Sequence, residues 1–371
     1  MKKKKIDAVR AILVLCVLFL SIFGCIMVFS ASMYSSTRTY GNAYHFLIKQ
    51  IVGVALGLVG LIAFSFINYH KLKKFKWIMV IVSAILLGLV FIPGIGVENY
   101  GAKRWIRLPF FTFQPSEIAK FALVFFCAAH LSDNHDKIKS FKTLIPPILV
   151  GGLFCGLVIL EPNMSITICM GLVLIAMLFL GGMSAKHFAM LAVPGAMLVP
   201  ALIFMEPYRI KRLMAFLDPW ASPKGEGFQL IQSLYGLGAG GLFGVGLFNS
   251  RQKYNFLPFA ESDFIFSVIG EEFGFFGAIF VLLIFLTIVV CLIIIARRAR
   301  DRFGSLLAAG IASVIAIQTM LNIAVVSGAI PPTGLPLPFI SAGSTSLIVF
   351  MSAIGVALNV DNQHSKANIS S

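Results

Sequence analysis

Long apolar runs recur along almost the whole of this 371-residue chain, and they limit its fold more than any other feature. A helix that crosses a bilayer needs about 20 consecutive, mostly apolar residues. Only 12% of the residues are charged, whereas about a quarter are charged in a soluble globular protein. We therefore expect an all-α polytopic membrane protein, folded as a single transmembrane domain over residues 1–371.

About ten of these runs qualify as transmembrane helices, although the third, fourth and sixth are short. The seventh and eighth are separated by a polar, basic and glycine-rich segment, residues 206–262, which we predict to be a large structured extracytoplasmic loop. The predicted spans are residues 11–31, 46–67, 77–92, 116–131, 144–160, 166–180, 188–204, 273–295, 306–327 and 345–360.

Lysine and arginine predict which face of the membrane each loop occupies, because cytoplasmic loops are enriched in them. With ten spans, both termini lie on one face, and most basic residues of the short loops fall on that face. We therefore predict cytoplasmic N- and C-termini. The net charge of +15 follows from this topology, and no basic domain stands apart from the apolar spans, so nucleic-acid binding is not expected.

Two basic loops, residues 98–114 and 206–262, break this pattern because they fall on the predicted outer face. An anionic ligand would explain them, since arginine and lysine pair with phosphate. The alternative, which is stronger for any single residue than for the set, is that they bind lipid headgroups or snorkel to the membrane surface. The set consists of Lys103, Arg104, Arg107, Arg209, Lys211, Arg212, Arg251 and Lys253.

The large loop also contains a helical pattern. Four apolar residues recur at helical spacing, namely Phe228, Ile231, Leu234 and Tyr235. Gln229, Gln232 and Ser233 fall on the opposite face, which predicts an amphipathic helix at the outer membrane–water interface. The glycines within residues 236–241 then allow tight turns or close approach of the backbone to a ligand, or they are ordinary loop residues.

Acidic residues at the membrane boundary are costly, so they indicate a polar cavity or a charge partner. Glu271 and Glu272 enter the eighth span, which predicts either a cavity under the outer loop or ion pairs with the basic loops. Asp263 lies at the mouth of that cavity, where it is predicted either to be a general base or, with Ser262, to cap a helix. Residues 328–346, rich in proline and glycine, form either a cavity wall or an outer loop.

The six cysteines lie in apolar runs without a CxxC pair, and the six histidines are scattered along the chain. We interpret the cysteines as packing residues and predict no metal site built from these side chains.

Several long motifs follow one another in order over nearly the whole chain: KRWI, FQPSEIAK, EPN, YRIKR, FLDPW, GFQLIQSLYGLGAGGLFGVGL, DFIFSVIGEEFG and GLPLPFIS. Together they closely resemble the SEDS family, which contains FtsW, RodA and the sporulation protein SpoVE. The wording around DPW and the later SRQK resemble FtsW and SpoVE more than RodA.

The resemblance implies a peptidoglycan glycosyltransferase that polymerises lipid II, the undecaprenyl-pyrophosphate-linked disaccharide-pentapeptide, at the outer face of the bacterial cytoplasmic membrane. It also implies a monofunctional class B penicillin-binding protein as partner, among other proteins of the cell-wall machinery. The family's essential aspartate falls on Asp263, its RWI motif on residues 104–106 and its PSE motif on residues 115–117.

Three departures from the family pattern stand out. Phe259 follows Pro258 where many members have LPE before the aspartate, and residues 341–344 are SAGS where SYGG is usual. Asn163 stands where an aspartate is common, and the loss of that carboxylate argues against a charged role for the position. None of these departures touches Asp263.

For the chemistry, we predict that Asp263 accepts the proton of an attacking sugar hydroxyl, while basic side chains stabilise the leaving pyrophosphate. A single displacement would invert the anomeric carbon. A divalent cation, Mg²⁺ or Mn²⁺, stays open because no ligand set is evident. The predicted substrate-binding residues are Lys103, Arg104, Trp105, Glu117, Arg209, Arg212, Gln229, Gln232, Ser233, Arg251, Lys253, Glu271 and Glu272.

Two other functions use similar features. A transporter that moves lipid II across the membrane would also have buried acids and broken helices, although no internal inverted repeat is evident. A scaffold that only recruits a partner would leave the basic outer cluster unexplained. The sequence leaves open whether division, elongation or sporulation is served.

Overall fold

The computed structural model describes residues 2–99, 102–107, 112–254 and 256–370. Within these residues the chain is a bundle of α-helices with one small sheet. In chain order the helices are α1 (Lys2–Tyr40), α2 (His45–Phe66), α3 (Tyr69–Lys73), α4 (Lys76–Leu89), α5 (Pro115–Asp133), α6 (Phe141–Leu160), α7 (Met164–Leu180), α8 (Ala185–Phe204), α9 (Pro207–Leu217), α10 (Phe228–Gly240), α11 (Ile265–Arg298), α12 (Arg302–Val326) and α13 (Ser344–Ser370).

All ten predicted spans coincide with helices, which confirms the fold class. Seven helices of the described chain are long and apolar enough to cross a membrane. The three others are those that are short in the sequence: α4 and α7 have 14 and 17 residues, and α5, with 19, carries buried charges. The number of crossings therefore stays a prediction.

The centre of the bundle is α12, which packs against α5, α7, α11 and α13. Small residues let neighbouring helices approach closely, as on the face of α2 that packs along α13. A Cβ added to Gly60 would lie 2.2 Å from the Ser352 hydroxyl oxygen, and one added to Gly57 would lie 2.5 Å from the Met351 sulfur. Larger side chains at these positions would push the two helices apart.

The amphipathic helix predicted in the large loop is present as α10. It continues through the glycines that were expected to follow it, and Gly240 is its last residue. A Cβ at Gly240 would lie 2.0 Å from the backbone oxygen of Gly270, so this glycine allows contact between α10 and α11. The glycine therefore serves helix packing, which the sequence pattern did not distinguish from ligand approach.

The helix α11 is interrupted at Gly274, whose φ of 68° and ψ of −167° are not helical. The backbone groups freed by the break pair with the end of the large loop. Val245 N–H donates to the Glu271 carbonyl at 3.0 Å, and Phe275 N–H donates to the Gly241 carbonyl at 2.9 Å. This pairing docks the loop onto the helix and satisfies the broken backbone.

A three-stranded antiparallel sheet lies in the first basic loop, where the sequence predicted no regular structure. Its strands are β1 (Gly96–Asn99), β2 (Ala102–Arg107) and β3 (Thr112–Phe113), in the order β1-β2-β3. Ile106 on the central strand pairs with Gly96 on one side and Phe113 on the other. The sheet gives Arg104 on β2 a fixed place.

The loops predicted to be cytoplasmic come together at one end of the bundle through charge pairs. Lys73 and Lys76 each lie 2.6 Å from a carboxylate oxygen of Asp133, and Arg10 pairs with Asp361. Asp133 is exposed while it pairs, whereas Asp361 is 1% exposed and is therefore a buried, paired charge. The Arg10–Asp361 pair joins the two terminal helices.

Candidate active site

A cavity of about 290 Å³ lies among α7, α8, α9, α12 and the segment that follows α12. One wall is basic and carries Arg104, Arg209 and Arg212, and much of the remainder is apolar, as at Ile168 and Leu321. A cavity of this composition suits an amphiphile with an anionic group, because guanidinium groups pair with phosphate oxygens.

Asp263 lies beside the segment that forms one wall of this cavity. Its carboxylate oxygen Oδ2 would be 3.0 Å from a Cβ added to Gly334, and the neighbours Thr333 and Leu335 line the cavity. Gly334 has a φ of +86°, a conformation that a glycine adopts without steric cost. The missing side chain at this position therefore leaves room for the carboxylate.

The structure tests whether Asp263 or Ser262 caps the start of α11. The N-cap of α11 is Phe264, and no side-chain hydrogen bond caps this helix end. Neither Asp263 nor Ser262 acts as the helix cap, so the capping alternative is not what the fold uses.

Burial raises the pKa of Asp263 from its ordinary 3.8 to about 6. A hydrogen bond from Ser262 and the positive charges of Arg104 and Arg212 oppose this rise. A carboxylate with such a pKa is mostly ionised at neutral pH and is a stronger proton acceptor than an ordinary aspartate.

Arg104 is held by the turn between α6 and α7. Its guanidinium group donates to the carbonyl of Glu161 at 3.4 Å and to the carbonyl of Pro162. Burial, and then the neighbouring charge of Arg212, lower the pKa of Arg104. Arginine stays protonated in proteins, so Arg104 presents a cation to the cavity.

Arg209 and Arg212 both come from the short helix α9, although only Arg212 is exposed. Arg209 donates to the Leu202 carbonyl at 2.7 Å and to the Tyr208 hydroxyl at 3.0 Å. Its guanidinium group therefore anchors α9 to α8 while it lines the cavity. Arg212 is the freer of the two to meet a ligand.

Glu161 is a residue that sequence analysis did not place in the site. It caps the C-terminal end of α6 and is 1% exposed, and its carboxylate oxygens have no hydrogen-bond partner in the described part of the chain. Burial raises its pKa to about 8, against the charge of Arg104, so it is mostly neutral at pH 7. A lone glutamate between two apolar spans was the signal available.

Glu117 lies inside the bundle, outside the cavity lining. Its carboxylate is 3.0 Å from the Lys120 ammonium group, and Lys120 also donates to Gln318 on α12. Both members of the ion pair are fully buried, and Lys120 joins α5 to α12 through Gln318 while Glu117 balances its charge.

Glu271, Glu272 and Lys253 also lie apart from the cavity lining, and they hold the end of the large loop. Lys253 lies 3.4 Å from a carboxylate oxygen of Glu272, to which Ser30 also donates at 2.6 Å. Glu271 accepts from the backbone N–H of Arg251 at 2.8 Å. Of the two predicted interpretations, the ion pair with a basic loop holds for Glu272, whereas Glu271 accepts hydrogen bonds from the same loop.

The other predicted binding residues are also outside the cavity lining. Ser233 is fully buried and donates to the Val326 carbonyl at 2.8 Å, which fixes α10 against α12. Gln229, Gln232, Lys103 and Trp105 are partly buried. Arg251 is exposed and lies on the loop that Glu271 holds.

The residues that the structure describes contain no group of three or more histidine, cysteine, aspartate or glutamate side chains placed to hold a metal ion, and the divalent cation stays a prediction. Asp263 and Glu161 are the acidic side chains whose charges act on Arg104.

Comparison with known proteins identifies relatives over nearly the full length. A family model named FTSW_RODA_SPOVE, described as "Cell cycle protein", matches residues 10–366. The chain is 39% identical to the "Probable peptidoglycan glycosyltransferase FtsW" of Geobacter sp. (strain M18), which covers 97% of this chain and 98% of that protein. It is 40% identical to the "Stage V sporulation protein E" of Bacillus subtilis (strain 168), and the match covers 94% of this chain and 96% of that protein.

Solved structures have the same fold. One chain, from "Structural coordination of polymerization and crosslinking by a peptidoglycan synthase complex", has a TM-score of 0.79 and 28% identity, covering 95% of this chain and 97% of that one. The "Rod shape determining protein RodA" of Thermus thermophilus has a TM-score of 0.70 at 24% identity. The match covers 95% of this chain and 96% of that one. The motifs, the match over residues 10–366 and the shared architecture agree, and this chain belongs to the FtsW/RodA/SpoVE family.

Proposed function

We propose that this protein is a peptidoglycan glycosyltransferase that polymerises lipid II at the outer face of the bacterial cytoplasmic membrane. Relatives named as probable peptidoglycan glycosyltransferases, at 39–40% identity over almost the whole chain, support the reaction class. The observation that carries the proposal is the Asp263 carboxylate, which lies beside Arg104 and Arg212 at the wall of a part-basic, part-apolar cavity.

In the proposed reaction, a sugar hydroxyl attacks the anomeric carbon of a second lipid-linked sugar. The new glycosidic C–O bond forms as the bond from that carbon to the pyrophosphate oxygen breaks. Asp263 takes the hydroxyl proton, and the pyrophosphate leaves with the electron pair. Arg104 and Arg212 stabilise the charge that develops on this leaving group. One displacement inverts the configuration at the anomeric carbon.

The two parts of lipid II match the two parts of the cavity. Its pyrophosphate would lie against the arginines, and its polyprenyl chain would lie along apolar residues such as Ile203 on α8. Arginine suits this role because its planar group can donate two parallel hydrogen bonds to phosphate oxygens.

We also propose a class B penicillin-binding protein as partner and cytoplasmic N- and C-termini. A synthase complex among the structural neighbours supports a partnership of this kind. The lysine and arginine bias of the loops supports the orientation.

Any divalent cation would depend mainly on the substrate, because few carboxylates lie near the arginines. Mg²⁺ is commonly bound through one or two carboxylates together with substrate phosphates. Asp263 is the ionised carboxylate available for such a contact, and no step of the proposed reaction requires the cation.

The test is polymerisation by purified protein in detergent, with lipid II as the only substrate and with or without a co-purified class B partner. Long glycan strands are expected, and the partner is expected to raise their yield. Transport of labelled lipid II across vesicle membranes without polymer in either condition would instead identify a flippase. If the protein neither forms polymer nor transports lipid II, the scaffold function is favoured.

A further inference from the structure

The side chain of Asn322 joins two chain segments that meet beside Asp263. Asn322 lies on α12 and is 1% exposed. Its Nδ2 group donates to the backbone carbonyl of Asp263 at 2.8 Å and to the carbonyl of Leu335 at 2.7 Å. A carbonyl oxygen can only accept a hydrogen bond, so the side-chain amide of Asn322 must present its NH₂ group, and not its oxygen, to both carbonyls.

These two hydrogen bonds act on both sides of the Asp263 carboxylate. Asp263 precedes α11, whereas Leu335 follows Gly334, the glycine against which the carboxylate lies. A shift of either segment would change the gap between Oδ2 and Gly334. Asn322 therefore fixes the place of the carboxylate through the backbone and without touching it.

Neighbouring contacts hold the same two segments at a second point. The hydroxyl of Ser341 donates to the Ser262 carbonyl at 2.6 Å, and Ala342 N–H donates to the Glu261 carbonyl at 2.8 Å. One turn before Asn322 on α12, Gln318 donates to the carbonyl of Pro336 at 2.8 Å. Asn322 is the member of this set that bonds directly to Asp263.

We propose that Asn322 is a positioning residue that sets the Asp263 carboxylate against the cavity wall during glycan polymerisation. The inference rests on the proposed function, since it needs Asp263 to act on substrate. A neutral amide suits the position because it supplies two donors to two carbonyls. An aspartate there could supply at most one, and a serine would be shorter with a single donor.

Two variants, Asn322→Asp and Asn322→Ser, test this role in the full chain with its partner. Displacement of a catalytic group by a fraction of an ångström to 1 Å costs roughly tenfold to a hundredfold in rate. We expect kcat for polymer formation to fall by about that factor in both variants, while KM for lipid II stays within about twofold. The matched control is Thr319→Val, which removes a buried hydroxyl of α12 that has no partner in the described part of the chain.

The outcomes separate this inference from the proposed function. Polymerisation by both Asn322 variants at the wild-type rate would overturn the inference alone, whereas a wild-type protein that makes no polymer would remove the proposed function as well. A rise in KM with kcat unchanged would make Asn322 a binding residue. An equal loss in Thr319→Val, or failure of both Asn322 variants to fold, would show a structural role and overturn the positioning role.

Discussion

Asp263 is subject to opposing influences: burial disfavours its charge, whereas a hydrogen bond from Ser262 and two guanidinium groups favour it. Burial is the largest, and the result is a pKa of about 6. For a general base near neutral pH this balance is useful, since catalytic efficiency is greatest when the pKa lies near the working pH. Family resemblance assigned the residue, but its environment depends on segments more than 50 residues distant in sequence, such as the one around Gly334.

The pKa of Asp263 predicts how activity depends on pH. Polymerisation is expected to fall as the pH drops through about 6, because the protonated carboxyl cannot accept the hydroxyl proton. Stability should change in the opposite direction: a carboxyl whose pKa is raised on folding makes a stabilising contribution at low pH that is lost as the pH rises from about 3.8 to about 6. Initial rates and thermal unfolding, each measured over roughly pH 4.5 to 8, check both trends. Constant activity across pH 6 would contradict this role.

Gly334→Ala tests the clearance around the carboxylate. The added methyl group would lie 3.0 Å from Asp263 Oδ2, and the φ of +86° strains any residue that has a Cβ, by about 1–2 kcal/mol. We expect polymerisation to slow by about tenfold. The control is Gly343→Ala, because a Cβ there would meet only Ser346, at 3.7 Å. Equal rates in the two variants would show that the carboxylate has room to move.

At the scale of elements, the helices of the membrane bundle were predictable and the connections between them were not. A run of about 20 apolar residues is enough by itself to predict a membrane-spanning helix. The strand β2 has six residues, and it exists because it pairs with β1 and β3. Such pairing involves partners that are separated in the sequence, so the basic residues of this loop predicted charge but not a strand.

The glycines of α10 and the acids of α11 illustrate a second limit. Gly240 is compatible with a turn, a ligand contact or a tight helix crossing, and its residue type does not choose among them. Glu271 and Glu272 likewise fit a polar cavity or a charge pair. The charge pair is present because the large loop folds back and places Lys253 against Glu272.

Lys253→Gln tests the structural role of that pair. Removal of the ammonium group leaves the carboxylate of Glu272 buried without its cation, and such losses commonly cost about 3–5 kcal/mol. Thermal unfolding in detergent should therefore shift to lower temperature. Arg251→Gln is the control, because this exposed side chain should change stability by no more than about 0.5 kcal/mol. Unchanged stability in Lys253→Gln, with weaker use of lipid II, would make Lys253 a substrate-binding residue instead.

At the scale of the whole molecule, two clusters of charged side chains lie in different regions of the chain. One group contains the Lys73–Asp133 and Arg10–Asp361 pairs, and the other lines the cavity with Arg104 and its neighbours. The positive-inside pattern predicted this division from the sequence alone. Which group faces the cytoplasm stays a prediction.

The sequence located the site more coarsely than the structure does. Three of the predicted binding residues, Arg104, Arg209 and Arg212, line the cavity. The remaining ones support the surrounding fold or lie outside the lining, because charge and motif membership do not show which way a side chain faces. Glu161 lies beside Arg104 and was left out of the predicted site, although it is a lone glutamate between two apolar spans and begins the EPN motif.

The central claim is that the Asp263 carboxylate takes the proton during glycan polymerisation. It is tested most directly by purified Asp263→Asn with lipid II and the class B partner, beside Glu261→Gln as a control at a neighbouring, partly buried acid. We predict that Asp263→Asn is folded at least as stably as the wild type at pH 7, because burial disfavours the charged carboxylate. This variant is expected to form no glycan, whereas Glu261→Gln is expected to form it. Glycan made by Asp263→Asn at the wild-type rate would contradict the account.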